Sequence, residues 1–303
     1  MPAQRPANPR EQPLPGRNAP LARAVILALL AAVALCYAAP LVWMISTSIK
    51  PEEQAISRDL RLLPDPPGST PAHAASNYSA VWTDPSIDFP LYLRNSLLVA
   101  LLGVTGMTLS TAVVAYGFAR IRWRGRSFLF AIVLATMMIP FPVIMAPLYV
   151  IFAQLGWIGS LKPLWLPAWF GGAFHGAFNI FLLRQFYMGI PKELDEAARI
   201  DGCSHWGIFW RIILPLSRPA LAVVALLYFT YLWNDFLGPL IFLNHRDQFT
   251  LALGLQLYQS KAGNTPWNLL MAASTMVVAP VLAIFFLTQR TFISGVAAEG
   301  LKE

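Results

Sequence analysis

Six long stretches of this sequence are almost free of charged side chains. Between Arg23 and Lys50, no acidic or basic residue interrupts the run Ala24–Ile49. A helix that crosses a bilayer needs about 20 consecutive apolar residues, and each stretch is long enough to supply them. The other stretches are Asn95–Ala119, Ser127–Leu161 with its span ending near Phe152, Pro163–Leu183, Pro219–Leu243 with Asp235 inside it, and Ala262–Gln289 with its apolar part at Leu269–Leu287. The pattern predicts an all-α polytopic membrane protein with six transmembrane helices.

The composition agrees with a membrane protein and excludes an ordinary soluble enzyme. Charged residues make up 12% of the 303 residues, about half of the roughly 25% that is usual in soluble domains. The net charge of +7 does not indicate a nucleic-acid partner, because basic residues collect in the cytoplasmic loops of membrane proteins. The two cysteines, Cys36 and Cys203, supply neither a disulfide framework nor a metal-ligand spacing.

The distribution of basic residues predicts that both termini lie in the cytoplasm. With the amino end inside, the internal segments hold fifteen basic residues and the external segments seven. The bias is clearest in the loop Arg120–Arg126, where every second residue is Arg. The first span exceeds the roughly 7–15 apolar residues of a signal peptide, so we expect a retained anchor. The predicted segments are a disordered cytoplasmic tail over 1–20, the first span over 21–46, an external segment over 47–94, a core with five spans over 95–290 and a cytoplasmic tail over 291–303.

No motif of an enzyme active site is present in the sequence. There is no Gly-Lys dipeptide for a phosphate-binding P-loop, no Gly-x-Ser-x-Gly nucleophile elbow and no His-Glu-x-x-His zinc helix. His175, within a span, is more often a packed, hydrogen-bonded residue than a ligand. A gradient-driven transporter would need a path of intramembrane carboxylates, and Asp235 alone qualifies. We therefore expect no catalysis, cofactor or metal in this chain, and a partner must supply any energy for work.

The segment Gly189–Gly202, between the fourth and fifth spans, predicts a short cytoplasmic helix. Pro191 suits a first helical position, the acids that follow suit the first turn, and the final glycine supplies a stop. A helix of about 11 residues is roughly 16 Å long and cannot cross a membrane. Leu194, Ala197 and Ala198 share one face, where the two alanines let another backbone approach closely.

A second short helix is predicted from Trp206 to Ile213, with Ser204 as its N-cap and Leu214-Pro215 at its end. Two short helices in a cytoplasmic loop, with one polar side and one small apolar side, are typical of a projection that docks into a partner protein. The alternative on physical grounds is a helical hairpin that lies on the lipid surface.

These residues also resemble a family motif. Glu196-Ala197-Ala198, Gly202 and Ile212-x-Leu214-Pro215 stand at the spacing of the EAA loop, the cytoplasmic coupling loop in permease subunits of bacterial ABC importers. The run Trp233–Leu237 is similar to the fifth span of the carbohydrate branch, exemplified by the second maltose permease. The resemblance extends from about Leu21 to the end of the chain. It implies the type I ABC importer permease fold, a permease core over 95–290 and an EAA loop over 190–216.

The resemblance implies a function and a set of partners. The chain would form half of the translocation pathway of an ATP-driven, binding-protein-dependent sugar importer in the bacterial inner membrane, beside a second homologous permease. A partner ATPase dimer, which binds ATP and magnesium, would receive the coupling helix in a groove, and an extracytoplasmic sugar-binding protein would deliver the sugar. The ATPase-coupling residues would be Glu196, Ala197, Ala198, Gly202, Ile212, Leu214 and Pro215, with Glu196 facing a cation and Gly202 making the bend.

An alternative is the same machinery for a non-sugar solute, such as glycerol phosphate or an amino acid. A phosphate-bearing solute would require Arg facing the cavity, and no Arg lies inside a predicted span. The sequence therefore favours a neutral sugar.

Polar and aromatic residues near the end of the fifth span suit a sugar pathway. Tyr231, Asn234 and Asp235 offer hydrogen-bonding groups and an aromatic face. The alternative for Asn234 and Asp235 is a structural polar cluster at the membrane boundary, or a gate that pairs with the second permease. Prolines in the third span open backbone groups of the kind that line cavities: they are Pro140, Pro142 and Pro147.

The last external loop is polar and rich in turn-forming residues. By the resemblance, it would contact the binding protein through Gln259, Ser260, Gly263 and Asn264. The alternative is a plain connector between two spans.

Overall fold

The computed structural model describes residues 20–57, 60–172, 175–259 and 265–300, with side chains described between 23 and 288. Every regular element in these ranges is helical. The helices are α1 Pro20–Ser48, α2 Glu52–Ile56, α3 Thr70–Thr83, α4 Phe89–Ala119, α5 Arg126–Thr136, α6 Phe141–Gln154, α7 Lys162–Trp165, α8 Gly176–Gly189, α9 Glu193–Ile200, α10 His205–Ile208, α11 Leu214–Leu216, α12 Arg218–Asn234, α13 Leu237–Phe242, α14 Leu251–Gln259 and α15 Trp267–Gly300. Short 3₁₀ turns cover Pro67–Ser69, Leu166–Phe170 and Arg246–Gln248, and a π-helical turn covers Phe209–Ile213.

Among the described residues, three helices are long and apolar enough to cross a membrane. They are the part Arg23–Ser48 of α1, the whole of α4, and the part Trp267–Thr288 of α15. The number rises to five if each of two bent pairs counts as one span: α5 with α6, bent by 101°, and the stretch His205–Leu216 with α12, bent by 76°. The all-helical prediction is confirmed for these residues, whereas continuous helices do not reach the predicted count of six.

The irregularity predicted for the third span is a sharp break at Pro140. α5 ends at Thr136 and α6 begins at Phe141, and Pro140 between them is extended, with φ −69° and ψ 142°. Proline has no N–H and disfavours a helical conformation of the residue before it, so the first helix ends ahead of it.

The predicted fourth span, 163–183, is not a continuous helix. α7 passes into the 3₁₀ turn, Gly171 follows with φ +66°, and α8 begins only at Gly176. A Cβ atom on Gly176 would overlap the carbonyl oxygen of Gly171. Glycine is therefore needed at both sides of the break. The apolar character of the run does not indicate that the helix is broken.

The buried side chains are arranged along α4. Its beginning contributes Tyr92 to a cluster with α3, α14 and α15, and its middle contributes Met107 to a cluster with α6, α7 and α12. Its end contributes Tyr116 to a cluster with α8, α9 and the π-helical turn. α3 and α9 therefore lie at opposite ends of α4.

α1 packs against α15 yet keeps its apolar surface exposed. No residue in its most apolar 18-residue window is buried. An apolar helix with so much exposed surface requires lipid or another chain around it.

A buried side-chain amide links the end of α1 to the last helix, α15. Asn77 Nδ2, on α3, donates to the carbonyl oxygens of Ser48 at 2.9 Å and Lys50 at 2.8 Å. Its Oδ1 accepts from Asn268 Nδ2 at 3.0 Å. Asn77 thus joins the end of α1 to the beginning of α15.

Candidate functional site

The short helix of the predicted coupling loop is present as α9, and it is shorter than expected. It covers the eight residues Glu193–Ile200, with Lys192 as its N-cap, so Pro191 precedes the helix rather than starting it. The first turn carries Glu193, Asp195 and Glu196, where acids favour the positive end of the helix dipole.

One face of α9 is buried against the rest of the chain and the opposite face is open. Asp195 and Ala198 are buried, and Ala198 belongs to the cluster at the end of α4. The open face follows the spacing i, i+3, i+4, i+7 and consists of Glu193, Glu196, Ala197 and Ile200, all exposed. The expectation that both alanines face a partner is therefore wrong for Ala198. Ala197 does lie on the open face.

The end of α9 has the geometry that Gly202 predicts. Gly202 adopts φ +80°, its N–H donates to Arg199 O at 3.0 Å, and the N–H of Cys203 donates to Ala198 O at 2.8 Å. These two bonds form a Schellman motif, which favours glycine because an L side chain is strained in the left-handed region. The predicted cap of the next helix is confirmed, because Ser204 Oγ accepts from Gly207 N at 3.2 Å.

The remaining residues of the EAA pattern lie where the chain turns into α12. Ile212, in the π-helical turn, and Leu214, at the start of α11, are half-buried against the cluster at the end of α4, whereas Pro215 is exposed. On the same stretch, Trp206 and Trp210 are 60% and 51% exposed. Large exposed aromatics of this kind are typical of interaction surfaces.

Arg120, directly after α4, fastens α9 to the transmembrane part. Its Nη2 donates to Ile190 O at 2.8 Å, and its Nη1 lies 3.7 Å from Asp195 Oδ2. The two side chains are 3% and 9% exposed, so water hardly screens the ion pair. Sequence reasoning missed this role, because Arg120 is one of four alternating arginines and nothing distinguishes it from the other three.

A second bond reaches from α4 to the next short helix. Tyr116 Oη donates to His205 O at 3.1 Å, and its ring lies 5.2 Å from that of Phe209. The end of α4 therefore holds both short helices that follow α8.

A cavity of about 910 Å³ lies between the α5–α6 pair, α8 and α12. This volume falls in the range of small-molecule sites, roughly 300–1,000 Å³. Most of the lining is apolar. The polar groups among the described lining residues are those of Thr136, His175, Asn179, Tyr228, Tyr231 and Asp235.

Two of the three predicted pathway residues line this cavity. Tyr231 stands in an aromatic group, with ring centroids 4.3 Å from His175 and 5.7 Å from Tyr228. Asp235 Oδ1 accepts from the N–H of Gly238 at 3.1 Å. Asn234 is not among the described lining residues: it is exposed, and its amide donates to Thr230 O at 2.8 Å.

Gly238 lets Asp235 sit directly against the start of α13. A Cβ atom at position 238 would overlap Asp235 Oδ2. The absence of a side chain at position 238 leaves room for the carboxylate, which the N–H of Gly238 holds at the wall of the cavity.

Asn179, on α8, is a lining residue that sequence reasoning did not single out. Its side chain is 1% exposed, and neither its Oδ1 nor its Nδ2 has a hydrogen-bond partner. Asn179 lies in a charge-free run that predicts a membrane span. The one feature of the sequence that could have singled it out is a polar amide among apolar residues.

The predicted contacts to a binding protein are described only at their first residue. Gln259 is the exposed last residue of α14, and its carbonyl oxygen accepts from Thr265 Oγ1 at 3.2 Å. Ser260, Gly263 and Asn264 lie outside the described residues. Within the described part, no group of three or more His, Cys, Asp or Glu side chains could hold a metal ion.

Comparison with known sequences decides the family. The profile of the family "Binding-protein-dependent transport system inner membrane component" matches residues 91–297. The chain belongs to this family. Its members are membrane transport proteins, so this permease is a subunit of a binding-protein-dependent importer.

Individual relatives agree over most of the permease. The arabinooligosaccharides transport system permease protein AraQ of Halalkalibacterium halodurans is 34% identical over 87% of this chain and 90% of the relative. The trehalose/maltose transport system permease protein MalG of Thermococcus litoralis is 36% identical over 75% of this chain and 80% of the relative.

A solved structure has the same fold. A crystal structure of a bacterial ABC transporter involved in the import of the acidic polysaccharide alginate is 24% identical, with a TM-score of 0.75, over 92% of this chain and 99% of that chain. The ABC importer permease fold predicted from the EAA residues is therefore confirmed.

Proposed function

We propose that this permease carries a neutral sugar or oligosaccharide across the inner membrane in an ATP-driven, binding-protein-dependent importer. Membership of the family supports the importer, and the relatives named for arabinooligosaccharides and for trehalose and maltose support the sugar. The observation that carries the coupling is the open face of α9, presented on a helix that a buried ion pair fixes to α4.

The open face of α9 suits docking into a groove on a partner ATPase. Glu193 and Glu196 offer carboxylates to a cation of the partner, Ala197 permits close approach, and Ile200 is 87% exposed and needs an apolar contact. Trp206 and Trp210 extend the apolar area. ATP and magnesium belong to the ATPase dimer in this proposal.

Movement of α9 would be passed on to the membrane part through Arg120. Its guanidinium donates a hydrogen bond to Ile190 O, just ahead of α9, and forms a buried ion pair with Asp195 on α9, so a shift of α9 would pull on the end of α4. The turn at Gly202 connects α9 directly to α10, so that the two short helices would move together as one rigid body. Closure of the ATPase dimer then changes the cavity from inward-facing to outward-facing.

We propose six crossings with both termini in the cytoplasm. Three long helices and two bent pairs support five of them, and α8 together with α7 supplies the sixth as a broken span. α9 and α3 lie at opposite ends of α4, which supports a cytoplasmic coupling loop and an external segment over 47–94.

A second homologous permease would complete the pathway and cover the exposed face of α1 or of the α5–α6 pair. Tyr231 and Asp235 line this chain's half of the pathway, and the proposal for Asn234 rests on the sequence alone. A solute such as glycerol phosphate fits less well, since the described lining residues include no Lys or Arg. The extracytoplasmic binding protein would meet the loop that begins at Gln259.

Charge reversal at Glu196 tests the coupling. In the assembled importer, Glu196→Lys should abolish ATP-dependent sugar uptake and release the ATPase on purification, while the amount of inserted permease stays at the wild-type level. Glu53→Lys, which reverses an exposed acid on α2 toward the other end of α4, should retain the ATPase. Normal uptake by Glu196→Lys would refute the assignment of α9.

A further inference from the structure

We propose that the loop between α4 and α5 binds the headgroup of an anionic phospholipid, with Arg122 and Arg126 holding the phosphate and an acyl chain lying along α5. The ligand class is a glycerophospholipid with a net negative charge, such as phosphatidylglycerol. The inference goes beyond the proposed function, which uses only Arg120 of this loop.

The position of the loop places its arginines at a membrane surface. The helix before it, α4, is long and apolar enough to cross a membrane, and α5 with α6 can form one bent span. α4 ends at Ala119 and α5 begins at Arg126, so the loop is too short to carry its side chains far from the headgroup layer. Basic residues directly beside a span are well placed to meet lipid phosphates.

A cavity of about 260 Å³ lies within this loop. Its lining residues are Arg122, Trp123, Gly125, Arg126, Ser127 and Phe128. The volume is below the roughly 300–1,000 Å³ of sites that enclose a drug-sized molecule, so it suits a headgroup whose chains remain outside. Two guanidinium groups and a hydroxyl supply donors for phosphate oxygens, which arginine binds through paired N–H groups.

The positive charge around this cavity is not compensated within the described part of the chain. Neither Arg122 nor Arg126 forms an ion pair with a described Asp or Glu. Arg126 Nη1 donates to Ile121 O at 3.2 Å, which orients the guanidinium and leaves its other N–H groups for a ligand. Arg184 on α8 lies near enough to Arg126 for the two charges to repel each other. A bound anion would relieve this repulsion.

An exposed apolar surface begins directly beside the arginines and favours a lipid over a free phosphate. Phe128, Leu129 and Ile132 on α5 are 71%, 45% and 45% exposed, and their spacing places them on one side of the helix. Trp123, half-exposed at the cavity, donates from Nε1 to Gly117 O at 3.2 Å. Tryptophan is typical of the boundary between headgroups and acyl chains. A basic cavity next to an apolar helix face matches a molecule with an anionic head and a hydrocarbon chain.

Arg122→Gln tests the site in the full-length permease, purified in a non-ionic detergent and titrated with dioleoyl phosphatidylglycerol under native mass spectrometry. The titration is made in about 0.5 M ammonium acetate, where attraction between separated exposed charges is largely screened. The affinity should fall by about 10- to 100-fold, the range for a lost hydrogen bond to a charged group. Arg122 is exposed, so the thermal stability of the variant without added lipid should equal that of the wild type.

Arg124→Gln is the matched control. It removes the same charge from an exposed arginine of the same loop that lies outside the cavity lining. At this salt concentration its affinity for phosphatidylglycerol should stay at the wild-type value. Equal losses in the two variants, or wild-type affinity in Arg122→Gln, would overturn the site.

Two further titrations identify the ligand. Dioleoyl phosphatidylcholine has the same chains and the same phosphate, but its choline cancels the net charge, so it should bind about tenfold more weakly. Inorganic phosphate at the concentration of the lipid should not displace phosphatidylglycerol, because it makes no contact with the apolar face of α5. Equal binding of the two lipids, or displacement by inorganic phosphate, would overturn the assignment. None of these measurements requires sugar transport, so failure of the proposed function would be distinguishable from failure of this site.

Discussion

The buried pair between Arg120 and Asp195 gives the sharpest prediction about coupling. The facing atoms are 3.7 Å apart, which corresponds to an attraction of about 4 kcal/mol at an effective dielectric constant of about 20. Arg120→Met removes this attraction together with the bond to Ile190 O, and it leaves the Asp195 carboxylate 9% exposed and uncompensated. Breaking a buried pair in this way costs about 3–5 kcal/mol. We expect α9 to detach from α4, so that less sugar is imported for each ATP hydrolysed.

The assay is a double-mutant cycle on the purified importer in proteoliposomes, with thermal stability and sugar imported per ATP as readouts. Asp195→Asn added to Arg120→Met should recover part of the loss, because the uncompensated charge is gone, with a coupling energy of about 1–3 kcal/mol. Arg124→Met, at an exposed arginine of the same loop, should behave as wild type. Purely additive effects of the two changes, or an unaltered ratio of sugar to ATP in Arg120→Met, would refute the reasoning.

Two further changes test the supports at either end of α4. Gly202→Ala should destabilise the importer by about 1–2 kcal/mol in a thermal unfolding assay. Position 202 has φ +80° and a Cβ atom there would meet nothing within 4 Å, so the cost is backbone strain alone. The control Gly189→Ala is equally uncrowded but not at positive φ, and it should not destabilise the importer. Asn77→Leu should lower the free energy of unfolding by about 2–3 kcal/mol, since it leaves the buried carbonyl groups of Ser48 and Lys50 unpaired. The control Ser76→Ala, at the exposed neighbouring residue, should change it by less than about 0.5 kcal/mol. Equal effects of the two variants would contradict the packing described for α3.

The sequence predicts a membrane protein with long apolar helices, because charged side chains are costly inside a bilayer and charge-free stretches are easily recognised in a sequence. The helix breaks at Pro140 and Gly171 are harder to predict from the sequence. A broken helix that lines a cavity has the same charge-free composition as a straight one, and only proline and glycine within the run mark it. The fourth span was therefore predicted as continuous when it is divided.

The coupling loop shows a similar limit at the level of single residues. Its existence, its stop at Gly202 and its cap at Ser204 follow from local backbone preferences and were predicted. The separate positions of Ala197 and Ala198 depend on which face of α9 meets α4. That face is marked by contacts between residues distant in sequence, namely the packing of Ala198 in the cluster at the end of α4 and the ion pair of Asp195 with Arg120.

Reconstituted transport is the most direct measurement of the central claim. The permease would be placed in proteoliposomes with the proposed partners, namely a second permease, an ATPase dimer and a sugar-binding protein, and accumulation of a radiolabelled neutral oligosaccharide would be followed. We expect accumulation that requires ATP and the binding protein and that Glu196→Lys abolishes. Accumulation driven by an ion gradient without ATP, or by the permease alone, would contradict the account.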